Sequence, residues 1–419
     1  LKYKKVFVKT FGCRTNVFDS QVMLSSMKEF EMTEDESQAD IVVVNSCTVT
    51  NGADTSVRQY VNHVNKLSPN TKVYLTGCGA HTKGDDLFKE QKVFGVFGQS
   101  EKKKIDMLLK EEKPFYELGD LEFIDDAIVE EFVGKSRAFL KIQEGCNFRC
   151  NYCIIPHVRG DARDMDEDSI IEQVSNLAGN GFGEFILTGT NMGSYGNARE
   201  GRSLAKLLKR MSLQKGVRRI RLGSIEPIQV TDEFKELLHE PWMAKHLHIA
   251  LQYTHDTMLK KMNRRNRLKS DLELFEEISE AGYALGSDII VGHPGETQAI
   301  WDEALENFKR FPLTHIHAFS YSKRDGTPSS LMKDDVLGNV AKERLKILTS
   351  LVDENNFNFR QKHKDSSLEV LVESKKGDLY YGLDQFFNPI YIESNEDLVG
   401  NWIECKPTKI ASEGNYGRF

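Results

Sequence analysis

One short stretch, residues 141–160, constrains this chain more than any other; it reads KIQEGCNFRCNYCIIPHVRG. It carries Cys146, Cys150 and Cys153 in the spacing C-x3-C-x2-C. A four-iron cluster is usually held by four thiolates. Three thiolates on one tight loop leave one iron without a protein ligand, open to a small molecule that can receive an electron. The flanks predict a loop: apolar residues 138–142 read as a buried strand, Glu144-Gly145 breaks it, and Pro156 and Gly160 end the segment. A zinc knuckle is the second reading, because zinc wants a closed tetrahedron and His157 is a conceivable fourth ligand. Plain core cysteines rank third, since Cys, Asn, Arg and Tyr packed together make a poor core segment.

C-x3-C-x2-C after a strand resembles the signature of the radical SAM enzymes, and the fuller string EGCNFRCNYCIIPHVRG resembles their methylthiotransferase branch. The resemblance implies that the fourth iron holds the amino and carboxylate groups of S-adenosylmethionine, whose reductive cleavage gives a 5′-deoxyadenosyl radical. The protein's share is to hold the cofactor against its target and keep water away.

At 419 residues the chain is long enough for two or three domains and at least one large core. No apolar run approaches a bilayer span, so no membrane is expected. LKYKKVFVKT runs straight into a strand pattern without a signal-peptide layout, so a cytoplasmic place is expected. Seven cysteines are an odd number, which argues against a disulfide framework. A net charge of −7 argues against indiscriminate nucleic-acid binding but leaves room for a local basic groove.

Residues 4–132 alternate short apolar runs (6–9, 41–44, 72–75, 93–97) with helical stretches near 20–30, 54–66 and 101–109. This predicts an α/β domain with a parallel sheet. Cys13, Cys47 and Cys78 each follow one of the first three strands. In an open α/β sheet those ends face one crevice, so cysteines about 30 residues apart in sequence can converge there. Gly12, Gly77 and Gly79 let the backbone approach closely. A single buried cysteine is ordinary; three at equivalent strand ends read as a second cluster site. The resemblance implies the same: an auxiliary four-iron cluster on three such cysteines, which holds or donates the inserted sulfur.

Residues 111–135 read as an acidic linker. From 137 to about 360 the alternation resumes at larger scale, with strands over 138–142, 184–187, 219–222, 246–250, 285–291 and 315–319. Helices are expected over 168–181, 204–211, 271–282 and 300–310. Six βα units suit the partial (β/α)6 barrel of radical SAM proteins, with functional residues at the carboxyl ends of the strands. LTGTNMGSYG offers Thr188, Gly189 and Asn191; LGSIEP offers Ser224 and Glu226; ALQ offers Gln252; DIIVGHPGET offers Asp288 and Gly292. Each is weak alone, and by resemblance all four segments surround S-adenosylmethionine. The chain departs from the family pattern in three places. Gln252-Tyr253-Thr254-His255 stands where the family has Gln-Ser-Gly, the segment Arg159-Gly160-Asp161-Ala162-Arg163 is short, and His293 replaces a usual Phe.

Lys260, Lys261, Arg264, Arg265, Arg267 and Lys269 cluster after one strand end, while Arg218, Arg219 and Arg221 surround another. Lys323 and Arg324 lie in YSKRDGTP. A charge run is usually a solvated face; tracking a phosphate backbone is the equal alternative for 260–269. From 366 the pattern turns to short alternating strands (LEVLVES, PIYIES, WIECKPTKI), a small all-β unit of roughly five strands. It resembles a TRAM domain, an OB-like module. Phe386, Phe387 and Tyr391 either stack on bases or fill its core, and Cys405 reads as packing.

The expected organisation is therefore residues 1–133 as a methylthiotransferase domain with an auxiliary cluster, 134–365 as the radical SAM domain and 366–419 as the TRAM domain. The resemblance implies an enzyme that replaces C–H by C–S–CH3. It implies two four-iron clusters (on Cys13, Cys47, Cys78 and on Cys146, Cys150, Cys153), S-adenosylmethionine, a sulfur source and a low-potential electron donor of the flavodoxin or ferredoxin type. Three substrates compete: N6-threonylcarbamoyladenosine at tRNA position 37, N6-isopentenyladenosine at the same place, and an aspartate of a ribosomal protein. GCRTN and VNSCTVTNGAD look most like the first branch, whose partner is a tRNA anticodon stem-loop. The threonyl carboxylate needs a cation in its pocket, for which Arg14 is the candidate by position. A metal-stabilised RNA-binding protein without activity is the alternative from another class.

Overall fold

The computed structural model describes residues 4–123, 129, 136–197 and 201–419. Six strands form the first sheet: β1 (Lys5–Thr10), β2 (Glu31–Met32), β3 (Ile41–Ser46), β4 (Lys72–Gly77), β5 (Gly95–Phe97) and β6 (Phe115–Glu117). Their order is β2-β1-β3-β4-β5-β6 and every pair is parallel. β3 is buried along its whole length, as the uninterrupted IVVV run requires of a central strand covered on both faces.

Two readings of this region change. The first helix spans Arg14–Ser26, not 20–30; its buried face carries Thr15, Asn16, Asp19, Ser20 and Gln21, so apolar periodicity does not mark its start. The stretch read as a linker contains β6, and the proposed boundary at 133–134 lies outside the described residues.

The barrel strands are β7 (Ala138–Glu144), β8 (Arg163–Asp164), β9 (Glu184–Gly189), β10 (Arg219–Leu222), β11 (Ser224–Ile225), β12 (His246–Ile249), β13 (Ala284–Val291) and β14 (Leu313–Ser320). All six expected strands are present, as β7, β9, β10, β12, β13 and β14, and run parallel. The ladder divides between β10 and β12. There Ile220 N donates to Trp242 O (2.8 Å), and Ala244 N to Ile220 O (3.0 Å), carrying the arc across the gap. Leu140, Ile142, Phe185, Leu187, Leu247 and Leu285 join one large core between strands and outer helices. A helix over Gly338–Lys362 follows β14.

The C-terminal unit has six strands rather than five: β15 (Leu368–Lys376), β16 (Leu379–Leu383), β17 (Pro389–Glu393), β18 (Trp402–Cys405), β19 (Pro407–Ala411) and β20 (Gly414–Arg418), in the order β18-β15-β16-β17-β20-β19. The string WIECKPTKI splits at Lys406. β18 pairs with β15, whereas β19 pairs with β20 at the far edge, which curls the sheet. Its turn at Asp384–Asn388 reaches the barrel: Phe387, at φ +70°, stacks on His246 at 5.1 Å, and Arg221 lies 4.9 Å over the same ring. Phe387 therefore plugs the barrel and Phe386 is in the small core; neither is free to stack on a base.

Candidate active site

Cys146, Cys150 and Cys153 lie on the loop after β7, each half-buried and none in a disulfide. Cys146 Sγ accepts from Phe148 N (3.4 Å) and Asn191 Nδ2 (3.6 Å). Cys150 Sγ accepts from Arg264 Nη1 at 3.7 Å. Burial pushes the Cys153 thiol up to about 12, helped by the two neighbouring sulfurs. Among the described residues, neither cysteine triplet has its three sulfurs within 4.8 Å of one another. A zinc ion with 2.3 Å bonds draws its sulfurs to about 3.8 Å apart. The loop is too open for one ion, and His157 is exposed and joins no such set. The three thiols fit the larger four-iron group better.

The cysteine loop is braced by the segment after β12. Asn151 N donates to Met262 O (2.9 Å), Asn151 Nδ2 to Lys261 O (2.8 Å), and Asn263 Nδ2 to Arg149 O (2.6 Å). This corrects the reading of Arg264 as a nucleic-acid contact. Arg264 is 4 % exposed, and its guanidinium grips both oxygens of Glu226 and donates to Ala250 O (2.7 Å). A buried cation is satisfied by a carboxylate rather than left for solvent. Lys261 is half-buried and donates to Gly295 O (3.3 Å). Lys260 and Arg265 are exposed, with Arg265 lying 4.4 Å over the Phe148 ring. Arg219, Arg221 and Arg324 likewise turn inward, to Glu184 and Asp54.

The other residues read from strand ends divide into two groups. Asn191 N donates to Gln143 Oε1 (2.8 Å), which aims its amide at Cys146. Ser224 Oγ donates to Asp288 Oδ2 (3.4 Å). Gln252, at φ +65°, bonds through its backbone to Asp288 and Ile290. Gly292 N donates to Glu296 Oε2. Thr188 and Gly189 point elsewhere: Thr188 Oγ1 meets Thr15 Oγ1 at 3.0 Å across the domain contact, and Gly189 packs on Gln143.

Cys13, Cys47 and Cys78 gather beneath this loop. Cys13 is exposed at the start of the first helix, while Cys47 and Cys78 are buried. Burial raises both buried thiols, Cys78 to about 11. They stay protonated at neutrality unless a metal takes the proton's place. A Cβ on Gly12 would stand 2.6 Å from Cys47 Cβ and 2.9 Å from its sulfur, so the backbone at 12 lies directly on this thiol.

The two cysteine sets are joined by a residue that the sequence did not single out. Arg159, on the short helix Ile155–Arg159 that follows Cys153, donates from Nε to Cys78 Sγ at 3.1 Å. Its other nitrogens reach Asp19 Oδ2 (2.9 Å), Asn16 Oδ1 (2.6 Å) and Glu144 Oε1. Asp19 also takes Lys102 (2.6 Å) and Lys141 (2.8 Å), and Lys141 reaches Glu144 (3.1 Å). All five charged groups are buried. Burial alone would raise the Asp19 carboxyl, but Lys102, Lys141 and Arg159 hold it well below the usual range. Ile154 and Val158 pack on Cys78.

A six-stranded parallel arc with three free cysteines on the loop after its first strand defines a radical SAM enzyme. Residues 140–308 match the model of the Radical SAM superfamily, and residues 5–98 match the family described as "Uncharacterized protein family UPF0004". A Helicobacter pylori protein named "Putative methylthiotransferase" is 51 % identical over 99 % of this chain and 100 % of its own length. The threonylcarbamoyladenosine tRNA methylthiotransferase MtaB of Bacillus subtilis is 32 % identical over 98 % and 95 %. A tRNA-2-methylthio-N(6)-dimethylallyladenosine synthase of Fervidobacterium nodosum is 31 % identical over 99 % of each. The radical S-adenosylmethionine methyltransferase TsrM of Kitasatospora setae shares the fold, with a TM-score of 0.60 at 14 % identity over 79 % of this chain and 77 % of that one. The chain belongs to the radical SAM methylthiotransferase family, whose chemistry uses S-adenosylmethionine and an iron–sulfur cluster.

Proposed function

We propose that the protein inserts a methylthio group at C2 of N6-threonylcarbamoyladenosine at position 37 of tRNA. The observation that carries this reading is the joining of two cysteine triplets through Arg159 in one buried network. It supports two four-iron clusters held side by side, one on Cys146, Cys150 and Cys153, the other on Cys13, Cys47 and Cys78. When bound, the first supplies the electron that cleaves S-adenosylmethionine and the second carries the sulfur. The chain's own work is to orient and to exclude water. Asn191 and Arg264 direct N–H groups at two sulfurs, Glu226 fixes Arg264, and the strand-end residues Ser224, Gln252, Asp288 and Gly292 form the rim against which the cofactor lies.

The threonyl carboxylate favours a buried cation, and Arg14 fits. Its guanidinium lies 5.4 Å over the Phe387 ring, makes no ion pair among the described residues, and burial lowers its pKa. An unpaired guanidinium of this kind gains from a carboxylate. An isopentenyl group would leave it unpaired, which is why the dimethylallyladenosine reading ranks second despite the similar identity of relatives with that name. The C-terminal unit, in this reading a TRAM domain, offers Tyr381, Tyr391 and Tyr416 as a ladder (5.6 and 5.1 Å) with Lys376 and Lys409 over its outer rings. Such a surface suits stacking on an anticodon stem-loop. A cytoplasmic place, a flavodoxin- or ferredoxin-type donor and a separate sulfur source complete the proposal. Among the described residues no helix is long and apolar enough to cross a membrane.

Mass spectrometry of tRNA nucleosides from cells lacking this activity tests the substrate. Expression of the chain should add a methylthio mass to threonylcarbamoyladenosine, and the gain should vanish with Cys150→Ala. A gain on isopentenyladenosine instead would replace the substrate and keep the chemistry.

A further inference from the structure

Two barrel strands carry the pattern His-x-His: His246 and His248 on β12, His315 and His317 on β14. Alternation along a strand puts both histidines of each pair on one face. That face is the lumen, because Leu247 and Ile249 occupy the opposite, core side. β13 lies between the two strands and brings Asp288 directly beside His317.

The three side chains converge. His248 Nε2 stands 3.0 Å from Asp288 Oδ1, and His317 Nδ1 stands 3.3 Å from the same oxygen. All three donor atoms lie within 4.8 Å of one another, the one set of three Cys, His, Asp or Glu groups among the described residues that does so. Tetrahedral bonds of 2.0–2.1 Å separate their ligands by about 3.3 Å. His248 is 8 % exposed, and its Nε2 is buried, facing Asp288 without the alignment of a hydrogen bond. The His317 side chain is 63 % exposed, which leaves the other side of the set open. Supporting groups are present. Ser224 holds the second Asp288 oxygen, and a Cβ on Gly286 would stand 2.7 Å from His248 Nδ1.

We propose that His248, Asp288 and His317 bind one divalent transition-metal ion of the zinc or ferrous class, through two imidazoles and a carboxylate on one face, with its remaining positions open to the lumen. Two neutral imidazoles and one carboxylate suit these ions and select against magnesium and calcium, which prefer all-oxygen sets. The ion is held by none of the six cysteines, shares Asp288 with the cofactor rim proposed above, and does not depend on which nucleoside is modified.

The test uses the full-length, cluster-loaded protein. It is stripped of loosely held metal with a chelator, equilibrated with Zn2+ and washed. Zinc content and zinc-edge X-ray absorption are then measured. The expected result is one zinc per chain with a first shell of nitrogen and oxygen at about 2.0–2.1 Å and no sulfur at about 2.3 Å. His317→Ala and His317→Gln, made at an exposed side chain, should lower zinc retention at least about tenfold and leave iron and sulfide content unchanged. No retained zinc, a sulfur-containing shell, or retention unchanged in both variants would overturn the proposal.

Discussion

Arg159 Nε donates to Cys78 Sγ at 3.1 Å, which ties a residue just past the last cysteine of the barrel loop to a thiol of the N-terminal sheet. The same guanidinium is anchored by Asp19 and Glu144. The distance between the two cysteine sets is thereby fixed by one side chain whose every donor faces a buried partner.

Removing Asp19 should therefore cost far more than a surface pair would. Asp19→Ala removes a buried carboxylate shared by Lys102, Lys141 and Arg159, and breaking a buried ion network costs about 3–5 kcal/mol. Guanidinium unfolding of the full chain should show a clearly lower midpoint. A midpoint equal to wild type would show that the network contributes no stability.

Gly12→Ala should disturb the auxiliary set alone. The added Cβ meets Cys47 and the backbone sits at φ +95°, a conformation that L side chains rarely adopt. Iron content should fall by about half, with the barrel cluster's spectrum retained. Full iron content in this variant would move Cys47 out of the ligand set.

Arg14→Gln should separate substrates. A charge-assisted hydrogen bond is worth about 1.5–3 kcal/mol, so kcat/KM on threonylcarbamoyladenosine-containing tRNA should drop roughly tenfold to a hundredfold. Cleavage of S-adenosylmethionine without tRNA should not change. Equal turnover by variant and wild type would remove Arg14 from the pocket.

Asp384 gives a pH signature. Burial raises its carboxyl to about 6, with Oδ1 held by Phe386 N and Asn388 N. Its folded pKa lies above the unfolded value near 3.9. The protonated form thus favours the fold, and stability is lost as pH rises between about 4 and 6. Asp384→Asn lacks this loss. Thermal melts across pH 4–8 should show the variant gaining on wild type by on the order of 2–3 kcal/mol, with no further gain above about pH 6. Parallel profiles would contradict the assignment.

The fold was legible where hydrophobic pattern follows structure. The runs around Ile41, Phe185 and Leu285 are buried strands, and the site cysteines follow the ends of β1, β3, β4 and β7. The pattern fails where burial is polar. The first helix buries Asn16 and Asp19 because Arg159 and Lys102 reach them from elsewhere in the chain, and no local signal announces such partners. Arg264 sat in a basic run that reads as a surface, yet Glu226 draws it inside. One further signal stands in the sequence. H-x-H recurs in HLHIA and HIHAF, and period-2 histidines in apolar strands point to a shared lumen face. β2 and β6, of two and three residues, were too short to carry a pattern.

The central claim is that this chain holds two clusters, and counting them tests it most directly. Anaerobically purified protein should contain about eight irons and eight sulfides per chain. The Cys13→Ala, Cys47→Ala, Cys78→Ala triple variant should retain about four of each. About four irons in the wild-type protein, unchanged by the triple variant, would leave the N-terminal cysteines without a cluster and contradict the account.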